Sequence, residues 1–393
     1  MAFTAASSNT TALRYVAEST FGVTPTSPTL QELRYTGESL NFNITNTTSS
    51  ELRSDRSTSD LVQTGADTSG DIQIELSATT YDDFIAASIG ASLTWSSAIT
   101  VTPTSIAAAS STNTYTIVGA VTTGLVAGQW VKLGGFTNAA NNGYKKVLTI
   151  PSSTTFTVAQ TLTTESAVAG ATLAVSQYVR NGANYTSFTI QKDLNIDGSN
   201  HVYFNFAGMR VGGMSLNFAT GSILTGSFSF MGLAQTTATT QISGATVNAA
   251  TSTNVMNAVG NITNIFFDNV PSTSSFANLT LDIKGSLRAQ DAIGSLGHVG
   301  IALGRMAITG STKIYFDSKT LYDKFLAATE FAYAFAVQDS NNKAFVFDLP
   351  RVKFSSATVV SSGLDQDVTM DSSFEALRST GASGFMIGVY RFP

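Results

Sequence analysis

DIQIELSATTYDDFIAAS, Asp71 to Ser88, decides how the rest of this 393-residue chain is read. Ile72, Ile74 and Leu76 alternate with Asp71, Gln73 and Glu75, the period of two that turns apolar side chains to one face of a strand. The period then changes. Tyr81, Phe84, Ile85 and Ser88 fall at helical spacing, with Asp82 and Asp83 in the first turn and Thr80 placed to cap it. The positive end of a helix favours carboxylates and side-chain acceptors at those positions.

Gly310 to Thr329, GSTKIYFDSKTLYDKFLAAT, has the same design. Thr79, Tyr81, Asp82, Phe84, Ala86 and Ala87 match Thr320, Tyr322, Asp323, Phe325, Ala327 and Ala328, each pair 241 positions apart (320 against 79). An internal repeat sets the architecture before any other feature. Later in the chain, Arg210-Val211 stands opposite Arg351-Val352, 141 positions apart (351 against 210). The two separations differ by 100, so the first copy carries an insertion directly after its helix. The segment from Ala91 to Val179 has only Lys132, Lys145, Lys146 and Glu165 as charged residues, and its short β-type runs alternate with turn signals such as Asn142-Gly143.

The expected fold is therefore mainly β: two tandem β-sandwich modules, each with a short helix, plus an inserted small β-domain. The first module takes residues 1–90 and 179–234, including an N-terminal arm that ends in turns at Pro25 and Pro28. Residues 91–178 form the inserted domain, 235–260 a Thr/Ala/Ser linker and 261–393 the second module. Asn46 to Gly70 reads as a long polar connection, a length that is usually functional or disordered inside a compact domain.

Only 12% of residues are charged and 43% are hydrophobic, against roughly 25% charged in ordinary soluble domains. Ser, Thr, Asn, Ala and Gly fill the deficit, a surface suited to packing against other copies. The net charge is −5 and no Lys/Arg run occurs, which disfavours adhesive nucleic-acid binding. Without cysteine there is no disulfide, zinc-thiolate site or thiol nucleophile. The first residues lack the pattern of a signal peptide, and the longest apolar run, Phe331 to Val337, is far too short to span a bilayer. A soluble product made in a cytosol is expected.

Candidate chemical sites are few. His201 lies in a strand pattern and His298 in the Gly-rich stretch GSLGHVGIALG, which lacks the Gly-Lys-Ser/Thr and strand–loop–helix context of a nucleotide site. Asp365, Asp367, Asp371 and Glu375 suggest calcium only until the missing central glycine is noted, and a polar strand face accounts for them. Asp82 and Asp83 read as first-turn carboxylates rather than an acid/base pair. No catalytic residue, cofactor or metal is expected, and no enzyme activity.

Three stretches carry a resemblance. ALRYVAESTFGVTPTSPTLQELRYTGESL places Glu18, Phe21-Gly22, Pro25 and Arg34; SSELRSDRSTSDLVQTGADTSGDIQIELSATTYDDFIAA runs from polar loop to strand and helix; FAGMRVGGMSLNFATGSILTGSFSFMG is the third. Together they resemble the tail tube proteins of long, non-contractile-tailed bacteriophages, and the insertion resembles the outward-facing decoration domains of some members. The resemblance implies a virion tail subunit, assembled in the host bacterial cytoplasm. Its rings stack head to tail around a DNA-sized lumen, with tail tip, terminator and tape-measure proteins as partners and no membrane. Six modules make such a ring, so three chains are expected, with six chains as the competing arrangement. Asn41, Asn43, Asp71, Gln73, Glu75, Asp282, Asp367 and Asp371 are then candidates for a polar, largely acidic lumen past which DNA slides without specific binding. Lys284 and Lys313 lie on comparable faces. Glu51, Arg53, Asp55, Arg56 and Asp60, with the counterpart loop Gly285 to Arg305 and the N-terminal arm, are candidates for gripping the next ring. Another self-assembling β-rich structural protein, such as a surface-layer, fibre or adhesin subunit, is the alternative.

Overall fold

A computed structural model describes residues 5–259, 262–361, 363–380 and 384–392. The expected boundary at 260/261 and the outermost residues 1–4 and 393 lie outside them. The chain is mainly β, and Leu61–Glu75 behaves as its pattern requires: Ile72 and Ile74 are buried while Asp71 and Gln73 are exposed. Helix Asp82–Ser88 drives Phe84 into an aromatic cluster, with Tyr15, Phe188, Phe228 and Phe230 at centroid distances of 4.5 to 5.6 Å.

Two details of the helix entry differ from expectation. Tyr81 occupies the cap position, with no side-chain cap bond; the Thr80 hydroxyl pairs instead with Ser77 at 2.7 Å. Asp82 does lie in the first turn, but the helix end is not its principal partner. It is buried and ion-paired with Arg391, and burial pushes its carboxyl pKa up against the pull of that guanidinium. A partner 309 residues away outweighs the local preference.

Eight strands form one continuous antiparallel run. In spatial order they are Asn41–Thr48, Leu61–Glu75, Thr225–Gly232, the C-terminal half of His201–Ala219, Phe276–Lys284, Ala307–Tyr315, Thr369–Ala376 and the C-terminal half of Ala344–Val360. Four come from each half of the chain, and the second four pair in the same order as the first. The N-terminal halves of His201–Ala219 and Ala344–Val360 bend away into second layers. One layer contains Thr11–Ala17, Phe188–Asn195 and Ala234–Ala238; the other contains Ile262–Phe267, Phe331–Gln338 and Gly388–Phe392. Apolar side chains between the layers make one core containing Ile72, Phe228, Leu216, Leu281, Ile308 and Phe374. Thr11–Ala17 is thus a sheet strand where an arm was expected.

Both long strands change layers at β-bulges, which add twist and bend. The register shifts between Phe188 and Ile190 and between Val211 and Gly213; in the second half it shifts between Phe331 and Tyr333 and between Phe354 and Ser356. Matching the bulges gives a separation of 143 (331 against 188), so Arg210-Val211 corresponds to Lys353-Phe354, not to Arg351-Val352. A two-residue slip keeps every side chain on its face, so alternation alone could not expose it.

The segment after the first helix forms a seven-stranded sheet, from Glu165–Ala169 at one edge to Thr172–Val175 at the other, over its own core of Ile106, Tyr115, Val131 and Phe156. It also docks on the second layer of the C-terminal half. Trp130 and Tyr144 pack with Phe266, Val346, Tyr390 and Phe392. Strand Gln177–Arg180 crosses the expected 178 boundary and pairs with Gly388–Phe392. The expected 235–260 linker holds two strands, Ala234–Ala238 and Thr246–Asn248, the latter parallel to Thr29–Leu33.

Candidate functional site: a polar sheet face with two open edges

The eight-stranded run buries one face and presents the other. Residues standing opposite each other share a face, and the pairs step across the sheet from Gln73 to Ser227, Ser215, Asp282, Thr309, Glu375 and Lys353. Asn41, Asn43, Asp71, Gln73, Glu75, Asp282 and Asp371 all lie on this face. Asp367 does not: strand Thr369–Ala376 begins after it, and Asp365, at φ 58, turns the preceding chain. Local alternation in DQDVTMD suggested a strand that the turn replaces.

Hydroxyl and amide groups dominate the face. Ser215 donates to Asp282 at 2.7 Å, Asn278 to Asn217 at 3.2 Å, and Thr280 and Ser311 pair at 2.9 Å. The acids Asp71, Glu75, Asp282, Asp371 and Glu375 are offset by Lys284, Lys313 and Lys353, with Lys313 directly opposite Asp371. The face is polar and mildly acidic. Ser215, Ser227, Ser229, Ser311 and Ser373 were not anticipated as part of it; the alternation SFSF at Ser227–Phe230 was the available signal.

The two edges of the run are Asn41–Thr48 and the C-terminal half of Ala344–Val360, and neither has an outer strand partner among the described residues. Beyond the first edge, Asn41–Thr48 and Leu61–Glu75 continue as a hairpin, so the expected 46–70 connection shrinks to residues 49–60. Glu51, Arg53, Asp55, Arg56 and Asp60 are exposed there, with Arg53 and Asp55 paired at 3.2 Å.

The counterpart, Gly285 to Arg305, also a candidate for gripping the next ring, folds over the first half of its own chain. Arg288–Gln290 and Gly300–Ala302 form a small hairpin in which Leu296 O accepts from Ala66 N at 2.8 Å. Arg210 donates to Ile301 O, and His298 bridges Asp291 at 2.6 Å and Asp67 at 3.0 Å. Burial opposes protonation of His298, but the two carboxylates outweigh it and raise its pKa. Gly285 and Gly297 let the loop lie close to the first half, since a Cβ at either would meet the carbonyl oxygen of Gly212 or Leu233 at 3.2 Å.

The N-terminal motif residues are structural anchors. Glu18 accepts from Gly22 N, Ser187 Oγ, Thr189 Oγ1 and Gly208 N at 2.6 to 2.9 Å. Phe21 lies 4.0 Å from the Arg210 guanidinium. His201 is held by Asp193 at 2.6 Å and stacks on Tyr203. Among the described residues, no three or more His, Cys, Asp or Glu side chains gather as metal ligands, and no helix is long and apolar enough to cross a membrane.

A two-layered β subunit with a polar face, open strand edges and a docked accessory sheet is the architecture of a structural building block. Residues 8–376 match the family model described as Phage tail tube protein, and the chain belongs to that family. It is a self-assembling structural component of the virion tail. No curated protein matches it.

Proposed function

We propose that this chain is a duplicated tail tube subunit of a long, non-contractile-tailed phage, and that three copies close one ring around the DNA channel. The observation that carries this reading is the junction inside the chain. His201–Ala219 of the first half pairs over seven residues with Phe276–Lys284 of the second, so one sandwich already continues into the next without a break. Repeating that junction between chains closes a barrel.

Strand spacing sets its width. Strands about 4.8 Å apart, tilted by about 40°, give a 24-strand barrel roughly 48 Å across the backbone and roughly 35 Å between side-chain tips. Six chains contributing all their strands would give roughly 95 Å, far wider than one duplex needs. A six-chain ring with one module lining the lumen requires breaking the continuous run. Closure also removes exposed edges, a liability for any long sheet.

The polar face then lines the lumen. Duplex DNA carries a charge about every 1.7 Å of axis; a hydroxyl-rich, mildly acidic wall hydrates the channel without binding phosphates. Rings stack head to tail, an open heterologous contact that builds a filament. The exposed 49–60 turn is the candidate inter-ring contact. The inserted sheet packs on the layer away from the polar face, which supports a position on the tube's exterior. Tail tip, terminator and tape-measure proteins complete the assembly in the host cytoplasm. Electron microscopy of the purified chain tests the reading: hollow tubes support it, and a monomer that never assembles contradicts it.

A further inference from the structure

The internal junction is a template with a defined register, and the two open edges are the matching halves of the same template. Gly213 follows the bulge in its strand and stands opposite Ser229; Ser356 follows the corresponding bulge and stands opposite Ser373. On the other side, Asp282 stands opposite Thr309, which stands opposite Glu375; Asn41 stands opposite Ser69, which stands opposite Met231. Met231 and Glu375 in turn face Arg210 and Lys353, the residues just before the equivalent bulges. Gly213, Ser215 and Leu216 therefore correspond to Ser356, Thr358 and Val359, while Lys284, Asp282 and Leu281 correspond to Asn43, Asn41 and Leu40.

We infer that the Asn41–Thr48 edge of one copy pairs antiparallel with the 356–360 edge of a second copy in a single register: Ser356 opposite Asn43, Thr358 opposite Asn41 and Val359 opposite Leu40. This rests on the ring reading above and specifies its seam. Three matches of chemistry support the register. Ser215 donates to Asp282 inside the chain at 2.7 Å; at the seam the Thr358 hydroxyl meets the Asn41 amide, again donor to acceptor on the polar face. Leu216 and Leu281 stand opposite each other and are both buried. Their seam counterparts are Val359, left 38% exposed in the single chain, and Leu40, so a second copy covers an apolar side chain that is otherwise open to water. Met214 and Ile283, opposite each other, become Ala357 and Phe42, a small residue facing a large one. The seam carries no full charge where the internal junction has Lys284 and Asp282, so its closure is insensitive to salt.

The chain has no cysteine, so introduced pairs report directly. Residues opposite one another in an antiparallel pair lie about 4.5–5.5 Å apart at Cα, within disulfide reach, whereas diagonal positions lie about 7–8 Å apart. Full-length Asn41→Cys/Thr358→Cys and, independently, Asn43→Cys/Ser356→Cys are assembled, oxidised and run on a denaturing gel. Ser215→Cys/Asp282→Cys is the intrachain standard and Asn41→Cys/Ser356→Cys the two-residue slip. The expected result is covalent closure between chains for either matched pair, in at least tenfold excess over the slipped pair. Tubes that form but cross-link only in the slipped pair, or in neither matched pair, overturn the register and leave the tube reading standing. Absence of tubes from the unmodified chain overturns both.

Discussion

Asp348, fully buried on the second layer of the C-terminal half, forms its ion pair with Lys146 of the inserted sheet at 2.7 Å and accepts from Trp130 Nε1 at 3.1 Å. The inserted sheet therefore supplies the cation that this buried carboxylate needs: among the described residues, no other basic side chain is paired with Asp348. Lys146→Ala leaves a buried carboxylate uncompensated and is expected to destabilise the chain by about 3–5 kcal/mol. Lys146→Met with Asp348→Asn keeps an acceptor for Trp130 and restores most of the loss. Urea unfolding of the two variants distinguishes them, and equal stability of Lys146→Ala and the parent refutes the role of the pair.

The same contact bears on the accessory sheet as a whole. A purely decorative domain predicts that removing residues 91–178 leaves assembly intact. The docked face predicts otherwise, because removal uncovers Phe266, Val346, Tyr390 and Phe392 and takes Gln177 and Tyr178 from the edge of Gly388–Phe392. The truncated chain is expected to aggregate or to unfold at least ten degrees earlier, on the order of a few kcal/mol in a domain of this size. Scanning calorimetry and light scattering read both outcomes.

The hairpin over the first half is expected to respond to pH. His298 lies between Asp291 and Asp67, and its pKa in the fold is raised above the ordinary value of about 6.5. A raised histidine contributes stability that is complete below the unfolded value and fades as pH rises through the folded one. Protection of the Ala66 amide, bonded to Leu296 O, is expected to be full below the ordinary histidine value of about 6.5 and to fall as pH rises above it, after correction for intrinsic exchange. His298→Ala should remove that dependence, and an unchanged profile in the variant contradicts the assignment.

Charge reversal tests the lumen. Asp71→Lys, Glu75→Lys and Asp282→Lys place cations on an exposed or half-exposed polar face and leave the core untouched, so tubes are expected to form. Phage carrying all three are expected to eject DNA more slowly, with the delay relieved by salt, because each lysine facing phosphate adds a counterion-release term. Normal ejection at low salt argues that this face lies elsewhere.

Much of this architecture was legible in Asp71–Ser88, where one buried face dictates alternation and Phe84 anchors the helix. The first-half hairpin was legible only in part: Phe42 and Ile44 alternate with Asn41 and Asn43, but from Thr45 to Thr48 the residues are polar and exposed and the alternation ends, so the strand's far end read as loop. The polar-face residues were recognisable strand by strand, but their convergence depends on pairings between residues such as Ser215 and Asp282, 67 positions apart. Asp82 misled for the same reason: its helix position was read correctly, while its partner, Arg391, comes from the far end of the chain. Arg210-Val211 misled through identity, since a two-residue slip preserves the face.

Native mass spectrometry of a single ring released from the tube tests the central claim most directly. The account predicts three copies of the 41.2 kDa chain. A ring of six copies contradicts it.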